Sequence, residues 1–412
     1  EDEAEASWLD DADYASYLNG QTVADTYLNV QRVIGSAVDA GCDAIHPGYC
    51  FLAEHVEFYK LAGAANLPVL GADLSILPEV VDRFRLAEHA SKLSIPLIPA
   101  SGPIPADDDG VADAAQLGLP LFAKARAGGA ILRIERLEDV PRVVAQVRHM
   151  ARTASADDGV FLERVVTDIR QISTVVVADR HGTCVYLGHI NGSLQVGYRT
   201  WVEEMGAVVD AALHEKLGQA AVRLAQEVGW VGVGTVKWAL TADGGWYLLG
   251  FSARLTTGYD LVESLFGVNL IEAQLMALAG DELPWSQQDA KIERHGFQVR
   301  LLHGDVETGT RLDGTLKILK RPEGVVLHEG IDDGGSCTPN TDPLLLKLTV
   351  TAPTRHAALV QAKAAIAELE VEGVATNLAA LNDVLGLTDV WSGTYNTSTL
   401  PKALFMSREP GA

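Results

Sequence analysis

Apolar positions along this chain fall into two rhythms, one helical and one alternating. Val30 to Ala40 sets Val33, Ile34 and Val38 on one helical face. Asp82 to Leu93, Leu213 to Val228 and Ala357 to Leu369 predict further helices, and Leu261 to Gly280 predicts one long apolar-faced helix. Short strands are predicted at Cys42 to His46, Pro68 to Gly71 and Val160 to Glu163. Ile172 to Ala178 and Cys184 to Gly188 should pair across Arg180-His181-Gly182. The sharpest pattern is a hairpin. Val233 to Leu240 and Trp246 to Phe251 flank the turn triplet Asp243-Gly244-Gly245.

With 412 residues, 48% of them hydrophobic, the chain can bury a core for more than one domain. Its net charge of −23 argues against a general affinity for nucleic acid or an anionic membrane. No apolar run reaches membrane-spanning length. Cys42, Cys50, Cys184 and Cys337 are scattered without metal-ligand spacing, so a cytoplasmic or other reducing compartment is expected. The chain starts at Glu1 without Met, as a portion of a longer protein does.

The strand at Cys42 runs into His46-Pro47-Gly48-Tyr49-Cys50-Phe51-Leu52-Ala53-Glu54, with Tyr27-Leu28-Asn29 upstream. Together these resemble the A-I-H-P-G-Y-G-F-L-S-E-N and Y-L-N signatures of the biotin carboxylases, which are ATP-grasp enzymes. His46 is expected to be a turn histidine. The likeness continues through Val160-Phe161-Leu162-Glu163, Leu261 to Gly280, His295 to Leu301, Thr341 to Leu348 and Val371 to Asn377. It implies an α/β (α+β) ATP-grasp architecture in three parts: a Rossmann-like N-terminal domain over 1–80, an ATP-grasp domain over 81–290 and a C-terminal mixed-sheet domain over 291–412. The family's opening A-N-R-G-E-I-A turn has no counterpart, so the N-terminal domain is expected to lack its first βα unit.

Against that scaffold the chemistry departs. In the hairpin the family's two metal-ligand Glu positions are Lys237 and Gly250, and its Asn is Ser252, while Arg254 persists. The following Gln-Val-Glu has become Thr256, Thr257 and Gly258. In Gly192 to Glu204 the family's Arg, Arg, His and bicarbonate-side Lys are Val196, Gly197, Tyr198 and Thr200. Gln171 replaces another His, and Val326 replaces the Arg assigned to the biotin enolate. The phosphate-covering glycine loop is reduced to Arg126-Ala127-Gly128-Gly129-Ala130, expected to be an ordinary turn. Arg83, Lys124, Glu163 and Arg254 are what the resemblance leaves of a nucleotide site. Lys237 is expected to neutralise Glu163 or a neighbouring carboxylate.

Phosphoryl transfer rests on positioning and on stabilisation of spreading charge. These losses lead to the expectation of a non-catalytic subunit with no catalytic residue, no metal and no cofactor of its own. It would serve assembly or regulation in an acyl-CoA-type carboxylase. Its expected partners are carboxyltransferase and biotin-carrier components and an active biotin carboxylase paralogue, in an oligomer. Two other readings stand beside it: an active ATP- and bicarbonate-dependent biotin carboxylase with a rearranged site, using ATP/Mg and biotin, and a nucleotide- or metabolite-sensing module.

Overall fold

Helix α1, Val30–Asp39, forms where the first apolar stripe predicts it, with Asn29 capping it through the Arg32 N–H. The structure, a computed structural model, describes residues 6–406 except Cys50, Ala127, Gly129, Ala156, Asp157, Tyr198 and Glu307. The two N-terminal strand predictions shrink to one parallel bridge, Ile45 with Val69, joined by helix α2, Val56–Ala64. Helix α3, Leu77–Val81, is followed by α4, Arg83–Lys92, whose N-cap is Asp82.

A three-stranded antiparallel sheet follows, made of β1 (Leu121–Ala125), β2 (Ile131–Ile134) and β3 (Val160–Arg164) in the order β2-β1-β3. Helices α5, Val111–Leu117, and α6, Val140–Ser155, accompany it, and Val140, Val143, Val144 and Val147 seal its own small core. The shortened glycine stretch is a strand-connecting turn among the described residues. Ala125 N–H meets Ala130 O at 2.9 Å and Gly128 takes φ +83°. Ala127 and Gly129 lie outside the described residues.

The main sheet is antiparallel and eight-stranded. Its strands are β4 (Arg170–Ala178), β5 (Cys184–Val196), β6 (Arg199–Met205), β7 (Gly232–Leu240), β8 (Trp246–Ser252) and β9 (His295–Leu302), followed after the short β10 (Gly314–Thr315) and β11 (Lys317–Lys320) by β12 (Val326–Glu329) and, after β13 (Ser336–Cys337), by β14 (Leu344–Ala352). The order is β12-β14-β9-β6-β5-β4-β7-β8, so one sheet runs from the hairpin into the C-terminal part. Helix α7, Ala211–Glu227, packs its buried Leu217, Ala221 and Leu224 into the core cluster shared with β4 and β7.

The predicted long helix at Leu261 to Gly280 is two helices, α8 (Tyr259–Phe266) and α9 (Leu270–Ala279), bent by 95°. Apolar spacing continues through the break, but Gly267 at φ +66° ends the first helix and Asn269 caps the second. Among the described residues no single helix is long and apolar enough to cross a membrane. Helix α10, Arg355–Glu368, closes over β9 and β14.

Candidate functional site

The hairpin of β7 and β8 closes on Thr241 N–H to Gly245 O at 2.9 Å, with Gly244 at φ +84° supplying the left-handed turn residue. Its register sets Lys237 opposite Gly250 on one side and opposite Ser173 of β4 on the other. Gly250 leaves a gap beside the strand, and the Arg83 guanidinium from α4 fills it. There Arg83 donates to Leu249 O. The place of one family carboxylate is thus taken by a cation from another part of the chain.

Two cavities flank this hairpin. The first, about 350 Å³, is lined by Arg83, Phe161, Glu163, Leu248, Ile98 and neighbouring residues. Its apolar walls and few charged groups suit a flat heterocycle with a polar edge. Lys124 lies behind it and pairs with Glu163. The two meet because Phe122 is opposite Glu163 and Lys124 opposite Phe161, a diagonal contact across β1 and β3. Burial pulls the Lys124 ammonium below the ordinary lysine value, with Glu163 opposing that shift and Arg83 adding to it.

The second cavity, about 330 Å³, has a different balance. Arg199, Lys237, Arg254 and Arg300 line it against Glu203 and Asp342. Arg254 is held by Glu54 at 2.9 Å, and Glu54 also accepts the Ala253 N–H at 2.7 Å. Arg300 pairs with Glu203 at 2.5 Å. The Glu203 carboxylate fills the space that a side chain at Gly258 would occupy. Lys237 has no hydrogen bond or ion pair among the described residues. Its expected neutralisation by Glu163 or a neighbour fails because Glu163 is taken by Lys124, Glu54 by Arg254 and Glu203 by Arg300, while Asp342 on the same cavity accepts the Leu344 N–H at 2.9 Å and forms no ion pair with Lys237. Burial and then the Arg254 charge push the Lys237 ammonium down to about 8.

Arg83, Lys124 and Glu163 therefore gather at the first cavity and Arg254 at the second. Thr200 lines the second cavity. Ser252 is buried opposite Thr235 in the hairpin, and Val326 is exposed on β12. Tyr198 lies outside the described residues. His46 behaves as a turn histidine, accepting the Gly48 N–H at 3.2 Å. Glu54, which anchors Arg254, is absent from the candidate residues of the sequence, as are Arg199, Glu203 and Arg300 of the second cavity. The only signal for Glu54 was the final Glu of the His46 to Glu54 motif. The metal test is negative. Lys237 and Gly250 offer no carboxylate, Arg83 occupies the gap, and among the described residues no three His, Cys, Asp or Glu gather to hold an ion.

Comparisons with known proteins agree along the whole chain. Residues 1–77 match the biotin carboxylase N-terminal domain, 82–286 the carbamoyl-phosphate synthase L chain ATP-binding domain, and 298–402 the biotin carboxylase C-terminal domain. A biotin carboxylase of Halalkalibacterium halodurans is 32% identical over 381 residues, covering 91% of this chain and 84% of that protein. Biotin carboxylase 2 of Bacillus subtilis is 29% identical, covering 94% and 89%. Among solved structures, the biotin carboxylase domain dimer of the Hydrogenobacter thermophilus 2-oxoglutarate carboxylase, in complex with MgADP, ADP and bicarbonate, superposes with a TM-score of 0.90 at 26% identity, covering 97% of this chain and 90% of that one. A biotin carboxylase-β-γ-ATP complex from Campylobacter jejuni gives 0.89 at 25% identity, covering 97% and 91%.

These matches overturn the expectation of a non-catalytic subunit. That expectation counted lost side chains position by position. It gave no weight to how the fold gathers the remaining cations, with Arg83 over Gly250 and Arg199 and Arg300 beside Lys237. Matched over nearly its whole length to proteins that bear the enzyme's name, the chain belongs to the biotin carboxylase family.

Proposed function

We propose that this chain is an ATP- and bicarbonate-dependent biotin carboxylase working with a rearranged site. The observation that carries this reading is the cation-lined cavity beside a heterocycle-sized one, in a chain whose fold matches a domain solved with ADP and bicarbonate. The reaction moves the terminal phosphoryl group of ATP to a bicarbonate oxygen, releasing ADP. The resulting carboxyphosphate gives CO₂ and phosphate, and the biotin ureido nitrogen bonds to CO₂ while its proton leaves to phosphate.

Each stage gathers negative charge on oxygen, and fixed cations in a cavity shielded from water stabilise it without reorganising. Arg254 and Arg300 supply that charge. Glu54 and Glu203 hold the two guanidinium groups in place. Glu203 also lines the second cavity, where its carboxylate can take the bicarbonate proton. The residues present do not fit a divalent ion, so charge on the phosphates is met here by side chains. The chain carries no A-M-K-M biotinylation motif. Biotin would arrive on a carrier component, with a carboxyltransferase as the second partner and self-association as in the dimeric neighbour.

The test is phosphate release from ATP by the purified chain with bicarbonate and free biotin present or withheld. Release that requires both supports the proposal. Release no greater than in the protein-free blank overturns it.

A further inference from the structure

We propose that Lys237 is a carbamylation site, its side-chain nitrogen taking up CO₂ to form an N-carboxylysine that the surrounding guanidinium groups hold. Three observations lead there. Lys237 lines a cavity of about 330 Å³ with Arg254, Arg300, Arg199 and Glu203, large enough to admit CO₂ to the end of its side chain. Among the described residues its ammonium has no ion pair or hydrogen bond: Glu163, Glu54 and Glu203 are committed to Lys124, Arg254 and Arg300, and Asp342 accepts the Leu344 N–H instead. The charges it feels are Arg254 and Arg83 against Glu54 and Glu203, and the first of these, added to burial, makes its protonated form costly.

A buried, repelled ammonium has two routes to relief. It can lose its proton, or it can change sign. Carbamylation does both. The ammonium first releases one proton to water; the freed nitrogen lone pair forms a bond to the carbon of CO₂, one carbon–oxygen π bond becomes a lone pair on oxygen, and a second proton passes from nitrogen to water. Nothing is oxidised or reduced. The first requirement is a free amine near neutral pH, and the depression of Lys237 to about 8 meets it. The second is a home for the new negative charge, and Arg254 and Arg83 turn from repelling neighbours into partners. The product would also place a carboxylate on the hairpin at the position where the resembling enzymes carry one. The uptake needs only dissolved CO₂, so the inference goes beyond the proposed turnover and does not depend on it.

The experiment uses the full chain equilibrated with carbon-13 bicarbonate and CO₂ near pH 8, without ATP or biotin. Triethyloxonium trapping then converts carbamates to stable esters, and peptide mapping by mass spectrometry locates them. The expected result is an ethyl carbamate on the peptide containing Lys237, in higher yield than on exposed lysines such as Lys60 and Lys92. A matching carbon-13 carbamate resonance should be present in the wild type and lost in Lys237→Met. No adduct at Lys237, or one no richer than at Lys60 and Lys92, overturns the proposal. The wild-type map decides the matter by itself if Lys237→Met fails to fold. Turnover without the adduct would refute carbamylation alone, and the adduct without turnover would refute the proposed activity alone.

Discussion

At the contact of β6 with α10, Glu204 receives both the Nε and an Nη of Arg355, at 2.7 and 2.9 Å, and the Tyr395 hydroxyl at 2.8 Å. Arg355 spends its remaining donors on Trp391 O and Val390 O. Across the same sheet, Lys237 stands among arginines with no partner among the described residues. Both clusters bury charge, and they are built on opposite rules. The first is matched within the chain, so it fixes α10 and the segment around Tyr395 to the sheet. The second is left with cation in excess although the chain as a whole carries a net charge of −23. That local excess of cation fits the anionic substrates of the proposed function.

The contrast can be broken in four places. Glu204→Ala should have the largest effect on folding. It strands a guanidinium and a phenol in the interior and should cost about 3–5 kcal/mol, read from the denaturant midpoint. A change no larger than that of an exposed substitution would remove the distinction. Arg254→Met should lower ATP-derived phosphate release by about 10²–10³-fold, as loss of one charge-stabilising group does, while moving the denaturant midpoint less than Glu204→Ala.

Lys237→Met should leave stability unchanged or raise it, because it removes a cation that nothing in the chain matches. A pH titration sharpens this point. The folded value of about 8 lies below that of an unfolded lysine. Between the two values the unfolded chain binds more protons, so the wild type should gain stability relative to Lys237→Met as pH rises through that window. The opposite slope would mean that Lys237 has a partner after all. Gly250→Ala should cost about 1 kcal/mol, as Arg83 gives up its place over the strand and its bond to Leu249 O.

The hairpin was legible because alternation and an Asp-Gly-Gly turn are both local signals, and the structure places β7 and β8 within a residue of the predicted ends. The break between α8 and α9 was hidden, since apolar spacing runs on across Gly267 and Asn269 while the chain turns by 95°. At the site, sequence showed which side chains had changed but not which neighbours moved in. That Arg83 fills the gap at Gly250, or that Glu203 fills the one at Gly258, depends on contacts between distant segments. The isolation of Lys237 was equally illegible. It follows from the three competing pairings that take Glu163, Glu54 and Glu203 first.

On the proposed function, the cations gathered around the hairpin support carboxylation. The most direct measurement is transfer of label from carbon-14 bicarbonate to free biotin by the purified chain, with and without ATP, in the wild type and in Arg254→Met. Acid-labile carboxybiotin that requires ATP and falls steeply in the variant is the expected result. Labelled biotin absent from the wild type, with the protein folded and ATP present, would contradict it.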